Sequence, residues 1–558
     1  MSMKKTYWKG LDEKDQSPEF VQNSNKEFRE DLSVDEFIGS EAIGDFQTGR
    51  RDFLKFLGFG VAAATLASCE TPVIKSIPYV NKPEDITPGV ANWYASTFYD
   101  GNDYGNVLVK AREGRPIWVK GNKDFGLTRG GITPRIGASV LNLYNSDRLR
   151  GPVNAGSSVS WTDADADIKA KLKAVADRGG KVRILSNTII SPSTNLVIND
   201  FIGSLGGEVA EMGAPVVAPI VSDSVDAIVA PIISDVTGVD VEPVSANNVD
   251  VKHIQYDAVS YSAMRKANQE SFGKAVIPAY DFSRAKAVVS IDADFMANWL
   301  MHTKYNVDYA ETRNPESGWM SKHFHFESVM SLTGANADNR YPVNQNDQKL
   351  VLLSIYSKLF NTPADINISD KLAKVVNDLM KELLESNNPV VVSGIQEVEY
   401  QNLVLEINQR LNSKAFQPEN TILTRQGNDS EVSKLIKDMN DGKVGAIIMA
   451  GVNPVYTLSN SNDFIEGLKK TEMSVLFSMK NDETALHVNY LAAAPHYLES
   501  WGDTEMSKGE FSITQPTIRP IFDTKQFQDL LLIWNNNSSS FHDYIKSNWN
   551  DNILKNKT

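Results

Sequence analysis

The feature that most narrows the folds open to this chain is an alternation of short apolar runs with amphipathic segments. Runs that are almost entirely apolar, as in strands covered on both faces, are Val182–Leu185, Ala287–Ile291, Val390–Val392, Ala446–Met449 and Val475–Phe477. Between them lie segments of helical periodicity such as Ser369–Glu385, where Ser369 is suited to cap the helix. Strand–helix alternation predicts an α/β fold with two doubly wound parallel-sheet lobes.

The order of patterns along the 558 residues predicts the domain organisation. The predicted parts are a polar extension at 1–49, an export signal at 50–69, a β-rich module at 70–150, one α/β lobe at 151–195 and 385–558, and a second at 196–384 with an insertion at 208–250. Within the β-rich module, Val107–Lys110 and Pro116–Lys120 flank a Glu-Gly-Arg turn and predict a hairpin. Repeated proline in the insertion predicts an extended surface segment.

Composition argues against several classes of function. The chain has one cysteine, Cys69, whereas an iron–sulfur cluster takes about four thiolates and structural zinc commonly two or more. With 56 basic and 70 acidic side chains, the formal charge is −14, and no basic cluster suggests a nucleic-acid partner. No apolar stretch of about 20 residues follows residue 70, so the body is not expected to span a bilayer.

The N-terminal part carries an export motif. The twin-arginine pattern R-R-x-F-L-K is formed by Arg50, Arg51, Phe53, Leu54 and Lys55, and a short apolar run follows it. That run ends in Leu-Ala-Ser-Cys, which resembles a lipobox, so Cys69 is predicted to carry a lipid anchor. We therefore expect the protein on the periplasmic face of a bacterial inner membrane. The alternatives are a cytosolic helix and an unprocessed cysteine.

Two acidic or histidine-bearing patterns have the spacing of metal sites. Asp163, Asp165 and Asp167 begin like a calcium loop, but the glycine and glutamate that such a loop requires are missing. A helix capped by Thr162 is the prediction there. On a strand, the alternating residues His323, His325 and Glu327 would share one face and could hold a divalent metal. Phenylalanines between them favour an ordinary strand.

The densest polar set in the chain lies between residues 482 and 503. It comprises Asp482, Glu483, Thr484, His487, His496, Glu499 and Asp503. A histidine–carboxylate pair in a cleft could perform acid–base chemistry, and a buried polar network is the alternative. The chain has neither a phosphate-binding P-loop nor a G-x-S-x-G nucleophile motif.

Several segments together carry a family resemblance. They are Val107–Asn122, Arg129–Gly137, Leu143–Pro152, Ser328–Asp338, Gly451–Tyr456, Asp482–Ala485 and His496–Asp503. The first three resemble the opening domain of molybdopterin guanine dinucleotide oxidoreductases. With the long leader before the twin arginine, the whole chain is most similar to the B subunits of alternative complex III, a bacterial membrane assembly that oxidises quinol.

The positions at which this chain differs from that family predict its function. Where active relatives have a cysteine quartet, this chain has Trp93, Tyr94, Ser96 and Thr97 in a first loop and Thr133 in a glycine loop. The resemblance thus implies a non-catalytic structural subunit that contains neither pterin nor cluster. It also implies partners: an integral quinol-binding membrane subunit, cytochrome c subunits that carry haem, and iron–sulfur clusters. Those clusters would reside in a half that follows Thr558 or on another polypeptide.

Two other functions stay open at this point. In the first, the chain is an active oxidoreductase that binds molybdopterin guanine dinucleotide, with Ser260 as the molybdenum ligand. In the second, it is an exported lipoprotein that binds a small solute between its lobes, because doubly wound folds bind ligands at strand ends.

Overall fold

The structure is a computed structural model that describes residues 89–207, 249–363 and 365–555. From Ala91 onward the chain forms one compact unit. Outside the described residues lie the extension at 1–49, the export signal with Arg50, Arg51, Phe53, Leu54, Lys55 and Cys69, and nearly all of the insertion at 208–250.

The strands are β1 (Ala91–Tyr99), β2 (Tyr104–Arg112), β3 (Arg115–Gly121), β4 (Val153–Asn154), β5 (Ser157–Ser158), β6 (Lys181–Ser186), β7 (Val251–Gln255), β8 (Ile277–Tyr280), β9 (Ala287–Ile291), β10 (Lys322–Glu327), β11 (Asn339–Pro342), β12 (Val390–Ser393), β13 (Phe416–Ile422), β14 (Val444–Ala450), β15 (Met473–Ser478), β16 (Tyr490–Ala493), β17 (Gly502–Ser507) and β18 (Glu510–Thr514). The α-helices are α1 (Pro134–Leu143), α2 (Trp161–Asp177), α3 (Pro192–Ser204), α4 (Ser262–Phe272), α5 (His302–Glu311), α6 (Leu332–Asn336), α7 (Gln345–Phe360), α8 (Asp370–Glu385), α9 (Val398–Leu411), α10 (Asp429–Asn440), α11 (Pro454–Thr457), α12 (Ser461–Lys470), α13 (Phe527–Trp534) and α14 (Phe541–Asn548).

The largest sheet has seven strands in the order β5-β4-β16-β15-β14-β6-β7. The strands from β16 to β7 are parallel, and β4 pairs with β16 in the antiparallel sense. Alternate residues of β14 face opposite sides: Ile448 packs in a core with α2, α3 and α13, whereas Ile447 packs in a core with α10 and α12. Because both faces are covered by helices, the central strand β14 is apolar throughout, as the sequence predicted.

A second parallel sheet has the order β11-β10-β9-β12. Val288 of β9 faces a core that includes residues of α4, α5 and α9, and Val289 faces a core with α7 and α8. Ser369 caps α8, where its hydroxyl accepts a hydrogen bond from the backbone N–H of Leu372, so this prediction is confirmed. The prediction of two doubly wound lobes is confirmed as well.

The N-terminal module is a three-stranded antiparallel sheet, β1-β2-β3, covered on one face by α1. Val107, Val109 and Val119 of the sheet pack with Ile136 and Val140 of the helix. The predicted hairpin is confirmed. A further sheet, β18-β17-β13-β8, lies next to this module, because the hydroxyl of Thr97 in β1 donates to the backbone oxygen of Ile513 in β18.

Strand membership differs from the predicted lobe boundaries in two places. Strand β7 lies within the predicted second lobe at 196–384 but pairs with β6 of the large sheet. Strand β12 lies within 385–558, assigned to the first lobe, but pairs with β9 of the smaller sheet. Strand β12 is short and apolar, and β7 is a short edge strand with only two buried residues, so local sequence does not specify the partner of either one.

Two local predictions also need correction. The N-cap of α2 is Ser160 and not Thr162: the Ser160 hydroxyl accepts from the backbone N–H of Asp163 at 3.1 Å. The segment with Trp93, Tyr94, Ser96 and Thr97 was expected to be a loop but belongs to β1. Within the described residues, no helix is long and apolar enough to cross a membrane.

Candidate functional site

The large sheet has its topological switch point between β6 and β14. From β6 the chain crosses to β7 on one side, and β14, β15 and β16 follow on the other. Open α/β sheets bind ligands in the crevice at the carboxyl ends of such strands. Here the first residue after β6 is Asn187, whose backbone N–H donates to the oxygen of Ala450 at the end of β14. This crevice is therefore the first place to look for a site.

The side chain of Asn187 lies in this crevice, close to two segments of backbone. A Cβ added to Gly451, the residue after β14, would stand 2.6 Å from Asn187 Oδ1. A Cβ added to Gly101, in the β1–β2 turn, would stand 2.6 Å from Asn187 Nδ2. Both glycines have positive φ, +67° and +92°. The amide thus lies in direct contact with two backbones, one from the large lobe and one from the N-terminal module.

A buried carboxylate closes the crevice beside β7. Asp257 accepts hydrogen bonds from the Thr188 hydroxyl at 2.7 Å and from the backbone N–H of Gly427 at 2.7 Å. The same Thr188 hydroxyl accepts from the backbone N–H of Gln426 at 2.7 Å. The side chain of Arg425, also buried, donates to the Asn102 side chain of the N-terminal module. Protein groups therefore occupy the strand ends and connect the loop at 425–427 to the module.

Asp103 makes a second connection between the N-terminal module and the smaller lobe. It is fully buried, and its carboxylate accepts from Arg135 and Thr133 and lies 3.0 Å from His302 Nε2 in α5. Burial opposes ionisation, but the His302 ring beside the carboxylate and hydrogen bonds from Arg135 and Thr133 hold the pKa of Asp103 well below its usual range. The carboxylate is therefore ionised and fixes the module against α5.

Ser260, the candidate molybdenum ligand, lies in the loop between β7 and α4. Its hydroxyl donates to Asp429 Oδ2 at 2.6 Å and lies 3.1 Å from the hydroxyl of Ser262. It also accepts from the backbone N–H of Ser262 at 3.1 Å. Since a carboxylate already takes the hydroxyl proton and two further groups surround the oxygen, Ser260 serves to join the start of α4 to the start of α10.

His323, His325 and Glu327 lie on one face of β10, as predicted, and all three are buried. His323 Nε2 and His325 Nδ1 lie 2.7 Å and 2.5 Å from the hydroxyl of Ser290 in β9, and His325 Nε2 lies 2.9 Å from Glu327 Oε2. Burial lowers the pKa of His325, and burial together with the neighbouring His325 lowers the pKa of His323 to about 3. Both rings are therefore neutral at physiological pH.

The hydrogen bonds that link His323, Ser290, His325 and Glu327 form a series in which each donor points toward Glu327. Burial opposes ionisation of Glu327, yet hydrogen bonds from Ser331 and Arg340 lower its pKa, so it accepts from His325 Nε2–H. His325 Nδ1 must then accept from Ser290, whose oxygen accepts from His323 Nε2–H. Every nitrogen of the pair has a protein partner, because His323 Nδ1 lies 3.1 Å from the Tyr309 hydroxyl.

This arrangement favours the structural interpretation of the β10 residues over the metal site. Their ligand atoms are already used to join β9, β10 and α5. Among residues 89–207, 249–363 and 365–555, no three His, Cys, Asp or Glu side chains lie where they could hold one metal ion.

The polar set between residues 482 and 503 does not form one site. Asp482 accepts from Ser478, and Glu483 accepts from Asn453. The Thr484 hydroxyl also donates to the Asn453 side chain, and His487 ends a short 3-10 turn. Asp503 lies elsewhere, where its carboxylate accepts from Ser191, Ser193 and Trp549. Only His496 and Glu499 come together, and they form a capping box in which each side chain bonds the other end of a 3-10 turn.

Glu499 has its main partner in Arg148, which precedes the large lobe. The two side chains are 0% and 1% exposed, and their charged atoms lie 2.5 Å apart. Burial and the Arg148 charge lower the pKa of His496 to about 4, so this histidine is neutral. The predicted acid–base pair is therefore a buried structural network.

Sequence reasoning missed Asn187, Asp257 and Arg425. Asn187 directly follows an apolar strand, and Asp257 lies two residues past the end of β7, so polar residues at strand ends were a usable signal for both. Nothing local distinguishes Arg425, whose partner Asn102 lies 323 residues away.

Comparisons with known proteins show what the chain resembles in sequence and in structure. No protein family model matches the chain. It is 23% identical over 545 residues to the menaquinone reductase molybdopterin-binding-like subunit of Nitratidesulfovibrio vulgaris (strain Hildenborough), covering 87% of this chain and 71% of that protein. In structure it is similar to acetylene hydratase from Pelobacter acetylenicus, with a TM-score of 0.55 and 11% identity over 81% of this chain and 70% of that one. The chain has the molybdopterin-oxidoreductase fold.

That fold implies a molybdopterin cofactor, and the described residues can be tested for their fit. The hydroxyl of Ser260 is held by Asp429, and Asn187 packs against two backbones at the switch point. At the positions of the family's cysteines, the Ser96 and Thr97 hydroxyls donate to backbone oxygens. Each of these four side chains already has a protein partner, so these four fit neither a metal nor a pterin.

Proposed function

We propose that the chain is a structural subunit, without pterin or cluster of its own, of a membrane-bound respiratory complex of the alternative complex III type. The similarity to a subunit named for menaquinone reductase supports a quinone-linked complex. The observation that carries the non-catalytic role is the Asn187 side chain in the switch-point crevice, close to two segments of backbone. In this proposal, partners supply the quinol-binding membrane subunit, the iron–sulfur clusters and the c-type haems.

Such a subunit would hold the redox centres of its partners at fixed distances from one another, because electron tunnelling slows steeply with distance. Buried contacts between its parts suit this task. The buried Asp103 lies against His302 of α5, and the buried ion pair of Arg148 with Glu499 joins the module's end to the large lobe. Removing one partner from a buried ion pair costs about 3–5 kcal/mol, so the Arg148–Glu499 contact resists opening. The frame would thus keep its shape while electrons pass through its partners.

The proposal places the chain on the outer face of the inner membrane. The twin-arginine motif at Arg50 and Arg51 supports export of the folded protein, and the lipobox-like end supports a lipid on Cys69. Mass spectrometry of the mature chain tests both features: an acylated N-terminal Cys69 is expected, and an unmodified chain that still begins at Met1 would contradict the lipid anchor.

Metal and pterin analysis of protein purified from its native membrane tests the non-catalytic role. We expect cytochrome c and integral membrane subunits to co-purify, and no stoichiometric molybdenum or pterin after the chain is separated from them. The matched variant is Ser260→Ala, which loses the bond to Asp429 at a cost of about 1 kcal/mol. If wild-type chain holds molybdenum and S260A does not, Ser260 is a ligand and the chain is an enzyme.

A further inference from the structure

One face of the three-stranded sheet of the N-terminal module packs against α1, and the other face is exposed around Trp93 and Trp118, whereas its Thr97 end is buried beside β18. On the exposed part of this second face, the register places Trp93 of β1 opposite Lys110 of β2, and Lys110 opposite Trp118 of β3. Lys120 lies two residues further along β3. Trp93 and Trp118 are 40% and 50% exposed. We call these four residues the Trp–Lys face.

The two lysines are held against an aromatic ring. Lys120 Nζ lies 4.2 Å and Lys110 Nζ 5.7 Å from the centre of the Trp93 ring, and the Trp93 and Trp118 rings meet edge to face at 5.8 Å. In the described parts of the chain, no carboxylate lies within salt-bridge distance of either lysine. Their charge is therefore available to an outside partner, whereas Lys171, Lys173 and Lys181 each pair with an aspartate.

The charge of this face is opposite to that of the protein. The chain as a whole carries −14, but the hairpin adds Arg112 and Arg115, both exposed, beside the two lysines. Glu113 is the acidic residue at the same turn. A local positive surface on an acidic protein orients that surface toward an anionic partner.

We propose that the Trp–Lys face lies against the surface of an anionic phospholipid bilayer. Tryptophan is enriched both at protein–protein interfaces and at membrane–water interfaces, so the two lysines decide between them. Lysine is depleted from protein–protein interfaces but can keep its charge among lipid headgroups at a membrane surface, which favours the bilayer. The sequence supports the same location, because β1 begins about 20 residues after the predicted lipid on Cys69. The bilayer contact rests on the membrane location in the proposed function but does not depend on whether the chain binds a pterin.

Vesicle binding by the full chain tests this contact. All proteins carry Cys69→Ala, so that no lipid anchor contributes, and are sedimented with vesicles of phosphatidylcholine or of phosphatidylcholine with phosphatidylglycerol. The double variant K110Q/K120Q is expected to bind the anionic vesicles about 30-fold more weakly, the equivalent of about 1 kcal/mol for each lysine. The matched control is K266Q/K374Q, which removes the same charge from exposed positions on α4 and α8.

The tryptophans are tested separately. W93S/W118S is expected to weaken binding to both vesicle types, since the rings contribute without regard to lipid charge. Far-ultraviolet circular dichroism identifies any variant that fails to fold. Equal losses in K110Q/K120Q and K266Q/K374Q, or no loss in either, would overturn the proposal. The proposal would also be overturned if K110Q/K120Q bound vesicles normally but no longer co-purified with membrane subunits. The Trp–Lys face would then be a protein interface. Metal analysis stays the test of the non-catalytic role.

Discussion

Replacing Glu499 by glutamine tests how far the buried pair with Arg148 holds the fold together. Both carboxylate oxygens are used: Oε2 accepts from Arg148 Nη2 at 2.5 Å and from the backbone N–H of His496 at 2.8 Å, and Oε1 accepts from the backbone N–H of Ile521 at 2.9 Å. The change leaves a guanidinium that is 1% exposed without its counter-charge. A loss of about 3–5 kcal/mol in the free energy of unfolding is expected.

The expected change in melting temperature follows from the size of the unit. Unfolding entropy is about 2.1 cal/mol/K per residue, so a unit running from Ala91 to Thr558 has about 1 kcal/mol/K. The midpoint of thermal unfolding should therefore fall by about 4 °C, measured by scanning calorimetry at pH 7.5. The control K173M/D177L removes a pair whose side chains are 74% and 63% exposed and should shift the midpoint by less than about 1 °C.

A double variant decides whether the missing counter-charge is the cause. In Arg148→Met/Glu499→Leu no buried charge remains, so we expect it to be more stable than Glu499→Gln alone. The pKa of Glu499 lies below its usual value, so the pair's contribution is present above about pH 4.5 and is lost as the pH falls toward the folded-state pKa. The reasoning is refuted if the double variant is less stable than the single one, or if Glu499→Gln melts like the control.

Two further changes test other parts of the structure. His496 is neutral when folded, with a pKa of about 4, but takes up a proton near pH 6.5 when unfolded, so its contribution is lost as the pH falls from about 6.5 to 4. His496→Gln should show a smaller drop in unfolding midpoint between pH 7.5 and 5 than wild type, and an equal drop would contradict this. Gly451→Ala places a Cβ 2.6 Å from Asn187 Oδ1 at a φ of +67°, so a loss of about 1–3 kcal/mol is expected. Adding Asn187→Ala should recover part of that loss in thermal unfolding, and no recovery would show that Asn187 is not the obstacle.

Much of the local structure could be predicted from sequence. Apolar runs such as Ala446–Met449 became central strands, and Ser369 caps its helix, because strand burial and capping depend on residues close in the chain. The alternation of His323, His325 and Glu327 likewise placed them on one face of a strand.

The candidate sites were harder to interpret. Ser260 matched the position of a molybdenum ligand in the family resemblance. Its hydrogen-bond partner Asp429 lies 169 residues away, and this bond gives the serine a structural role. Arg148 and Glu499 are separated by 351 residues, and nothing near either one signals the pairing. A side chain's chemistry depends on what surrounds it, and those neighbours come from distant segments.

By itself, the sequence determined the central apolar strands such as β14, helices such as α8 and the doubly wound lobes, since periodicity and caps are properties of neighbouring residues. Only the tertiary structure decided that β7 joins the large sheet and β12 the smaller one, because the sequence of a short strand does not specify its partner strand. Only the tertiary structure showed Asn187 at the switch point, since a crevice exists only after two strands and a separate module have met.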